Sequence, residues 1–269
     1  MTLIDTHCHL TYAGLLEQQA AVVQRAKAAG VGAMVTIGTH PPDHALVLQT
    51  LASFDCVAGA LGVHPHHAGE VSDDFAAALE LQMAAAPRVV AVGECGLDYH
   101  FYPPAECAQQ RPVFVRQLEI ARRLNKPVIL HVRDAHADAC AIMRDFTDLK
   151  FVVHCFTGNP DECARWLELG AYVGITGVVT YKNAPDVRAV ARLVLPDRLL
   201  VETDAPYLSP QPVRKIKINE PAFVTHVAQR VAAERGVDEL ELARQTTRNA
   251  AAFFGENVFA AALANSDMS

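Results

Sequence analysis

Eight short apolar runs rich in β-branched residues, at 3–7, 33–38, 56–64, 89–96, 127–132, 151–156, 171–177 and 199–205, alternate with Ala- and Leu-rich stretches of helical spacing. The runs are apolar throughout rather than on every second residue, which is how strands read when helices cover a parallel sheet. Helical stretches include 15–29, 73–86, 107–124 and 161–169, with Gly30 after the first, Pro160 and Asp161 opening the last, and Gly170 closing it. Two further helices are expected at about 220–235 and 238–254. Eight strand–helix units in 269 residues fit a closed ring better than an open doubly wound sheet, and no Gly-x-Gly-x-x-Gly follows the first run. The predicted fold class is α/β: a (β/α)8 TIM barrel with additional C-terminal helices, occupying 1–269 as one domain.

Composition narrows the function classes. A formal charge of −7 argues against a general nucleic-acid coat, since non-specific duplex binding rests on clustered Lys and Arg, and leaves room only for a local basic loop. The seven cysteines are odd in number and include no Cys-x-x-Cys pair, so reduced, buried thiols are expected. There is no basic segment followed by an apolar signal core, and no stretch reaches the ~18 to 20 apolar residues of a membrane span. A soluble cytoplasmic protein is expected, with no membrane association and no obligate protein partner.

Against this background, polar residues stand where apolar strands should end. His7 and His9 close the first run, His64 the third, Glu94 lies near the end of the fourth, His131 ends the fifth, His154 the sixth and Asp204 the eighth. In a (β/α)8 barrel those ends converge on one face, where active sites of the fold are built. Each group taken singly reads as a hydrogen-bonded rim residue or a cap. Together they require a common partner, because buried polar groups cost free energy unless satisfied. Imidazole and carboxylate are good ligands for zinc, manganese and related ions. His7, His9, Glu94, His131, His154 and Asp204 exceed the needs of one tetrahedral ion. Two divalent ions (Zn, Mn or Mg) are therefore expected, one held by His7, His9 and Asp204, the other by His131 and His154, with Glu94 bridging ions roughly 3.5 to 4 Å apart. Strand alternation would turn Asp5, His7 and His9 into the barrel and Thr6 and Cys8 toward the helices. The same parity would put Cys95 and Cys155 behind Glu94 and His154.

The order of "DTHCHL", "GVHPH", "GECGLDY", "HVRDA", "HCFTG", "GITGVVTYK", "LLVETDAPYLSP", "NEPAFV" and "TTRNAAAFFG" closely resembles the TatD-type metal-dependent hydrolases of the amidohydrolase superfamily, over about residues 3 to 255. The resemblance implies a cytoplasmic barrel with a two-metal site that hydrolyses DNA phosphodiesters as a 3′-5′ exonuclease or DNase. Some relatives are D-aminoacyl-tRNA deacylases, so DNA ends, another nucleic acid or aminoacyl-tRNA are the implied partners. The six expected ligands stand at the family's metal positions, and His64 at its substrate-side histidine. One departure is visible: the family's basic loop reads like Arg-Gly-Lys-Arg before Asn-Glu-Pro, whereas 214–221 here reads "RKIKINEP", one residue longer and without the glycine. That bears on substrate preference and leaves the metal chemistry intact.

Roles follow from chemistry. The expected reaction is attack by metal-activated water, with Asp204, Glu94 and His64 as catalytic residues. Asp204 either takes the water's proton or only coordinates; His64 either bonds a substrate oxygen or is a core histidine. Glu202 and Asp5 orient ligands or are structural. Arg133 faces the barrel mouth to meet phosphate or pairs with Asp134. Lys182, Arg214, Lys215 and Lys217 form a phosphate-binding quadrant after the seventh and eighth strands, or a solvated charge run. His66 and His67 read mainly as solvated rim residues. A deacylase and a non-catalytic metal-stabilised scaffold are the competing functions.

Overall fold

The computed structural model describes residues 2–72, 74–101 and 103–267. Eight parallel strands follow one another around the sheet in chain order: β1 (Leu3–Cys8), β2 (Val31–Gly38), β3 (Val57–Leu61), β4 (Val89–Asp98), β5 (Val128–Arg133), β6 (Phe151–Val153), β7 (Tyr172–Ile175) and β8 (Leu199–Val201). The connections carry helices α1 (Gln19–Ala28), α2 (Pro41–Ser53), α3 (Phe75–Ala85), α4 (Gln110–Leu124), α5 (His136–Met143), α6 (Pro160–Glu168) and α7 (Pro185–Leu193). After β8 come α8 (Val224–Arg235), α9 (Glu239–Phe254) and α10 (Ala260–Asp267). The ring closes where Cys8 bridges Ala205 in parallel: the His9 N–H donates to the Ala205 carbonyl at 2.7 Å and the Asp204 N–H to the His7 carbonyl at 2.9 Å. This is the (β/α)8 barrel with C-terminal helices that the alternation predicts.

The two strand faces differ as a helix-wrapped ring requires. Leu3, Met34, Val57, Val89, Val128 and Val153 face outward and pack with helix residues such as Val22, Val47, Leu79 and Phe114. The inner face, where space narrows, carries Ala33, Ala58, Ala60 and Ala91 among Ile4, Val35, Ile129 and Leu200. Phe253 and Phe254 from α9 and Phe259 before α10 close that end of the barrel. Burying each phenyl there contributes ~1.5–3 kcal/mol. Helix starts follow local chemistry. Pro occupies the first turn of α2, α6 and α7, and Asn159 with Glu162 forms a capping box on α6.

Several boundaries differ from the runs. β3, β6 and β8 stop at Leu61, Val153 and Val201, short of the expected 64, 156 and 205, because the chain leaves the ladder to carry its polar residues over the rim. β4 continues to Asp98, and α1 and α4 begin after short 3₁₀ turns at Leu16–Gln18 and Pro104–Cys107. The helix expected over 73–86 is α3; Asp73 lies outside the described residues. α10, a short Ala-rich segment beyond the Gly255 break, has no periodic mark in the sequence.

Candidate metal centre

β1 delivers its histidines through an irregularity. Ile4 faces the interior and Asp5 pairs with Met34, whose side chain belongs to the outer layer. The Asp5 carboxylate accepts from Thr203 Oγ1 at 2.6 Å and Thr203 N at 2.9 Å, tying β1 to the end of β8. Burial pushes this carboxyl up to about 8, against the lowering effect of the Thr203 bonds. The register then shifts between Asp5 and Cys8, a bulge that turns two successive residues inward. Thr6 Oγ1 donates to Glu202 Oε2 at 3.2 Å, and His7 Nε2 lies 3.4 Å from Glu94 Oε2. Cys8 returns to the outer layer and His9 to the inside. Strict alternation thus holds for His7, Cys8 and His9 and fails for Asp5 and Thr6.

Glu94 is the hub. β4 runs so close to β5 that a Cβ at Gly96 would lie 2.0 Å from the His131 carbonyl oxygen, and one at Gly93 2.6 Å from that of Ile129. Both glycines take positive φ, +143° and +146°, which other residues rarely adopt. The approach sets Glu94 Oε1 2.7 Å from His131 Nδ1 and 2.8 Å from His154 Nε2, with His64 Nε2 at 3.7 Å. Oε2 faces His7 Nε2 at 3.4 Å and His9 Nε2 at 3.9 Å. Asp204 Oδ1 completes the cluster, 3.4 Å from His9 Nε2 and 3.7 Å from His7 Nε2. The rings of His7 and His154 stack at 3.8 Å. All six expected ligands therefore meet in one place, and His64 joins them: its Nδ1 accepts from the His66 N–H and its Nε2 turns to the cluster.

Electrostatics keeps the carboxylates charged. Burial opposes ionisation of Glu94, but the imidazoles of His154, His64 and His131 outweigh it and hold the group well below its usual range. Asp204 is lowered in the same way, burial being overcome by His9, His154 and His7. Burial, helped by the neighbouring imidazoles of His154 and His131 respectively, lowers His7 and His64, so both are neutral, the form that ligates metal. His154 rises well above its ordinary value despite burial, because Glu94 and Glu202 face it. Glu202 reaches it at 3.5 Å and also accepts the Cys155 N–H at 2.6 Å, from beneath the cluster.

The donors fit a divalent metal. His7 Nε2, turned toward Glu94 and Asp204, is buried without a hydrogen-bond partner among the described residues, a cost that a cation bound between these groups removes. Three donor groups, His7–His9–Asp204, His7–His154–Glu202 and His64–Glu94–His131, each lie within 4.8 Å.

Above the cluster opens a cleft of about 770 Å³. Asp98, not singled out from the sequence, binds His131 Nε2 at 2.9 Å and His66 Nε2 at 3.0 Å. Its signal was available: it lies four residues beyond Glu94 on the same strand face. His66 is thus anchored rather than merely solvated, and His67 pairs with Glu70 at 2.9 Å. Arg133 lines the cleft and lies 5.5 Å over the Phe101 ring; Asp134 pairs instead with His100. Cys8 and Cys95 are in the outer layer as parity expects, but Cys155 lines the cleft beside Thr176. It stands beyond the end of β6 with φ +44°, where strand parity no longer applies. Lys182, Arg214, Lys215 and Lys217 are all exposed and outside the cleft wall, and the Arg214 guanidinium lies 3.5 Å over the Tyr181 ring.

A barrel whose C-terminal rim gathers histidines around buried carboxylates is the architecture of a metal-dependent hydrolase. A model of TatD related DNases matches residues 4–255, and the chain belongs to that family. The uncharacterized metal-dependent hydrolase YcfH of Escherichia coli K12 is 41% identical over 259 residues, 94% of this chain and 96% of that protein. The 3'-5' ssDNA/RNA exonuclease TatD of Pantoea vagans is 40% identical over 260 residues, covering 94% and 99%. The crystal structure of the TatD homologue YJJV from Escherichia coli K12 superposes with a TM-score of 0.88 at 31% identity, over 94% of this chain and 97% of that one.

Proposed function

We propose that this metal-dependent hydrolase cleaves phosphodiester bonds at the 3′ ends of single-stranded nucleic acid, using two divalent ions. The observation that carries the reading is the convergence of His7, His9, His131 and His154 on Glu94, at the floor of an open cleft. The exonuclease named in Pantoea vagans supports the choice of substrate. His7, His9 and Asp204 would hold one ion, His131 and His154 the other, and Glu94 would serve both. Ions bound there would supply Lewis acidity toward the phosphoryl oxygens and an acidified water.

The remaining work falls to side chains. Asp204, its carboxylate 14% exposed to the cleft, takes the proton of the attacking water. His64, neutral and lining the cleft, bonds a non-bridging phosphate oxygen. Arg133 is the cleft's one guanidinium among the described residues and neutralises charge on the phosphate as the bond breaks. Glu202 positions His154, and Asp98 fixes His131 and His66.

The test is product analysis on a 5′-labelled single-stranded oligonucleotide beside a D-aminoacyl-tRNA, with Mn²⁺, Mg²⁺ or Zn²⁺. A ladder shortening one nucleotide at a time from the 3′ end is expected. Cleavage of the tRNA ester alone would replace the nuclease with a deacylase, and inactivity of the metal-loaded protein on both would leave the scaffold reading.

A further inference from the structure

A cleft that grips a phosphate chain by charge should be basic, and this one is not. Its lining carries three carboxylates, Glu94, Asp98 and Asp204, against the single guanidinium of Arg133. Bound ions offset charge at the floor, where the reacting phosphate sits, but do nothing for the rest of the strand. The basic residues of 182 and 214–217 are off the wall. Another source of binding energy must stand in the cleft.

Two aromatic rings supply it. Tyr207 is 51% exposed and Phe101 63% exposed, and both line the cleft. Tyr207 comes three residues after Asp204, on the segment leaving β8, and Phe101 three residues after Asp98, on the segment leaving β4. With the strands in the order β1 to β8 around a closed ring, β4 and β8 lie across from each other. The rings therefore stand on opposite walls with the histidine–carboxylate cluster between them. Neither ring is loose. Tyr207 packs nearly perpendicular to Tyr12 and to His9, with centroids 6.2 Å away in each case. Phe101 is held by His100 at 4.8 Å and His66 at 5.8 Å, and carries the Arg133 guanidinium at 5.5 Å. Half-exposed aromatics braced at fixed angles beside a reaction centre have the makings of stacking platforms.

We propose that Tyr207 and Phe101 each stack on one of the two nucleobases that flank the scissile phosphate, so that the cleft selects unpaired nucleotides by base stacking rather than by phosphate charge. The inference rests on the nuclease reading above. At a paired end the penultimate base has both faces covered by its neighbours and the terminal base only its outer face free, so a duplex cannot offer a face to each ring without unpairing. Stacking tolerates every base, so the selection is for strandedness and not for sequence.

The test is a cycle of variants and substrates. Tyr207→Ala and Phe101→Ala should each lower kcat/KM on ordinary single-stranded ends about ten-fold, within the range that base–aromatic stacking supplies. Each penalty should shrink toward none when one particular residue, terminal or penultimate, is abasic, and the two variants should pair with different residues. A binding readout stands beside turnover. 2-Aminopurine placed at the same residue, next to a non-hydrolysable phosphonate linkage, should be quenched by the parent protein and not by the matching variant. Equal losses on ordinary and abasic ends, or no loss at all, would overturn the proposal. Cleavage of methyl p-nitrophenyl phosphate without cleavage of any oligonucleotide would overturn it while leaving phosphodiester hydrolysis standing. Inactivity on both substrates would remove the nuclease reading and this inference with it.

Discussion

The two ends of the barrel use the same eight strands for opposite purposes. At the N-terminal end, Ile4, Ala33, Ala58, Ala60 and Ala91 meet Phe253, Phe254 and Phe259 in an apolar plug. At the C-terminal end, a few residues further along the same strands, buried imidazoles crowd two carboxylates, and His7 and His9 keep nitrogens without partners. The plug is satisfied by its own contacts; the rim is not. A fold tolerates a polar cluster of that density only where something else stabilises it, and the plug's burial offsets part of the cost while a bound cation removes the rest. Stability and function are thus separated by position along each strand.

The largest test of that division is Glu94→Gln. Removing the charge shared by five imidazoles should lower hydrolysis about 10⁴-fold and cost at least one ion per chain by elemental analysis. Phe259→Ala probes the other end. It should destabilise the fold by ~3–5 kcal/mol in urea unfolding, while metal content and turnover per folded molecule stay at parent values. Divalent metal at about a hundred times its Kd should add ~2.7 kcal/mol for each ion bound to the parent and to Phe259→Ala, and far less to Glu94→Gln. Equal stabilisation of all three would mean that the ions bind elsewhere.

How much of this contrast was legible in the sequence depends on the kind of signal. The ring and the six rim residues could be read because a histidine or carboxylate at the end of an apolar run is conspicuous in one dimension. The bulge at Thr6 and His7 could not, since it follows from how β1 meets β2 and leaves no mark on the pattern. Asp98 lies within reach of strand periodicity from Glu94, at the far end of β4. Phe101 and Tyr207 stand on loops, where no periodicity says which way a ring faces. The basic stretch at 214–217 is conspicuous in the sequence for its charge alone: charge density along a chain does not report the direction of a loop, and in the fold the Arg214 guanidinium lies over Tyr181.

Two smaller effects sharpen the picture at the rim. Glu202→Gln keeps the shape but weakens the hold on His154 and Cys155, and should lower metal affinity ~10–100-fold in a competition titration. The triple substitution of Arg214, Lys215 and Lys217 by Ala should change kcat/KM on single-stranded DNA by less than about three-fold and leave the salt slope nearly unaltered, because ~0.7 in log-log slope is lost only per phosphate contact removed. A markedly shallower slope would return those residues to the binding surface.

The central claim is that the polar end of the barrel is a metal centre, and the most direct measurement is metal stoichiometry followed alongside hydrolysis in one titration. Protein stripped of metal and verified by elemental analysis should be inactive on a single-stranded oligonucleotide. Activity should return as Mn²⁺ is added and reach its plateau at about two ions per chain. Full hydrolysis by protein carrying no divalent ion would contradict the account.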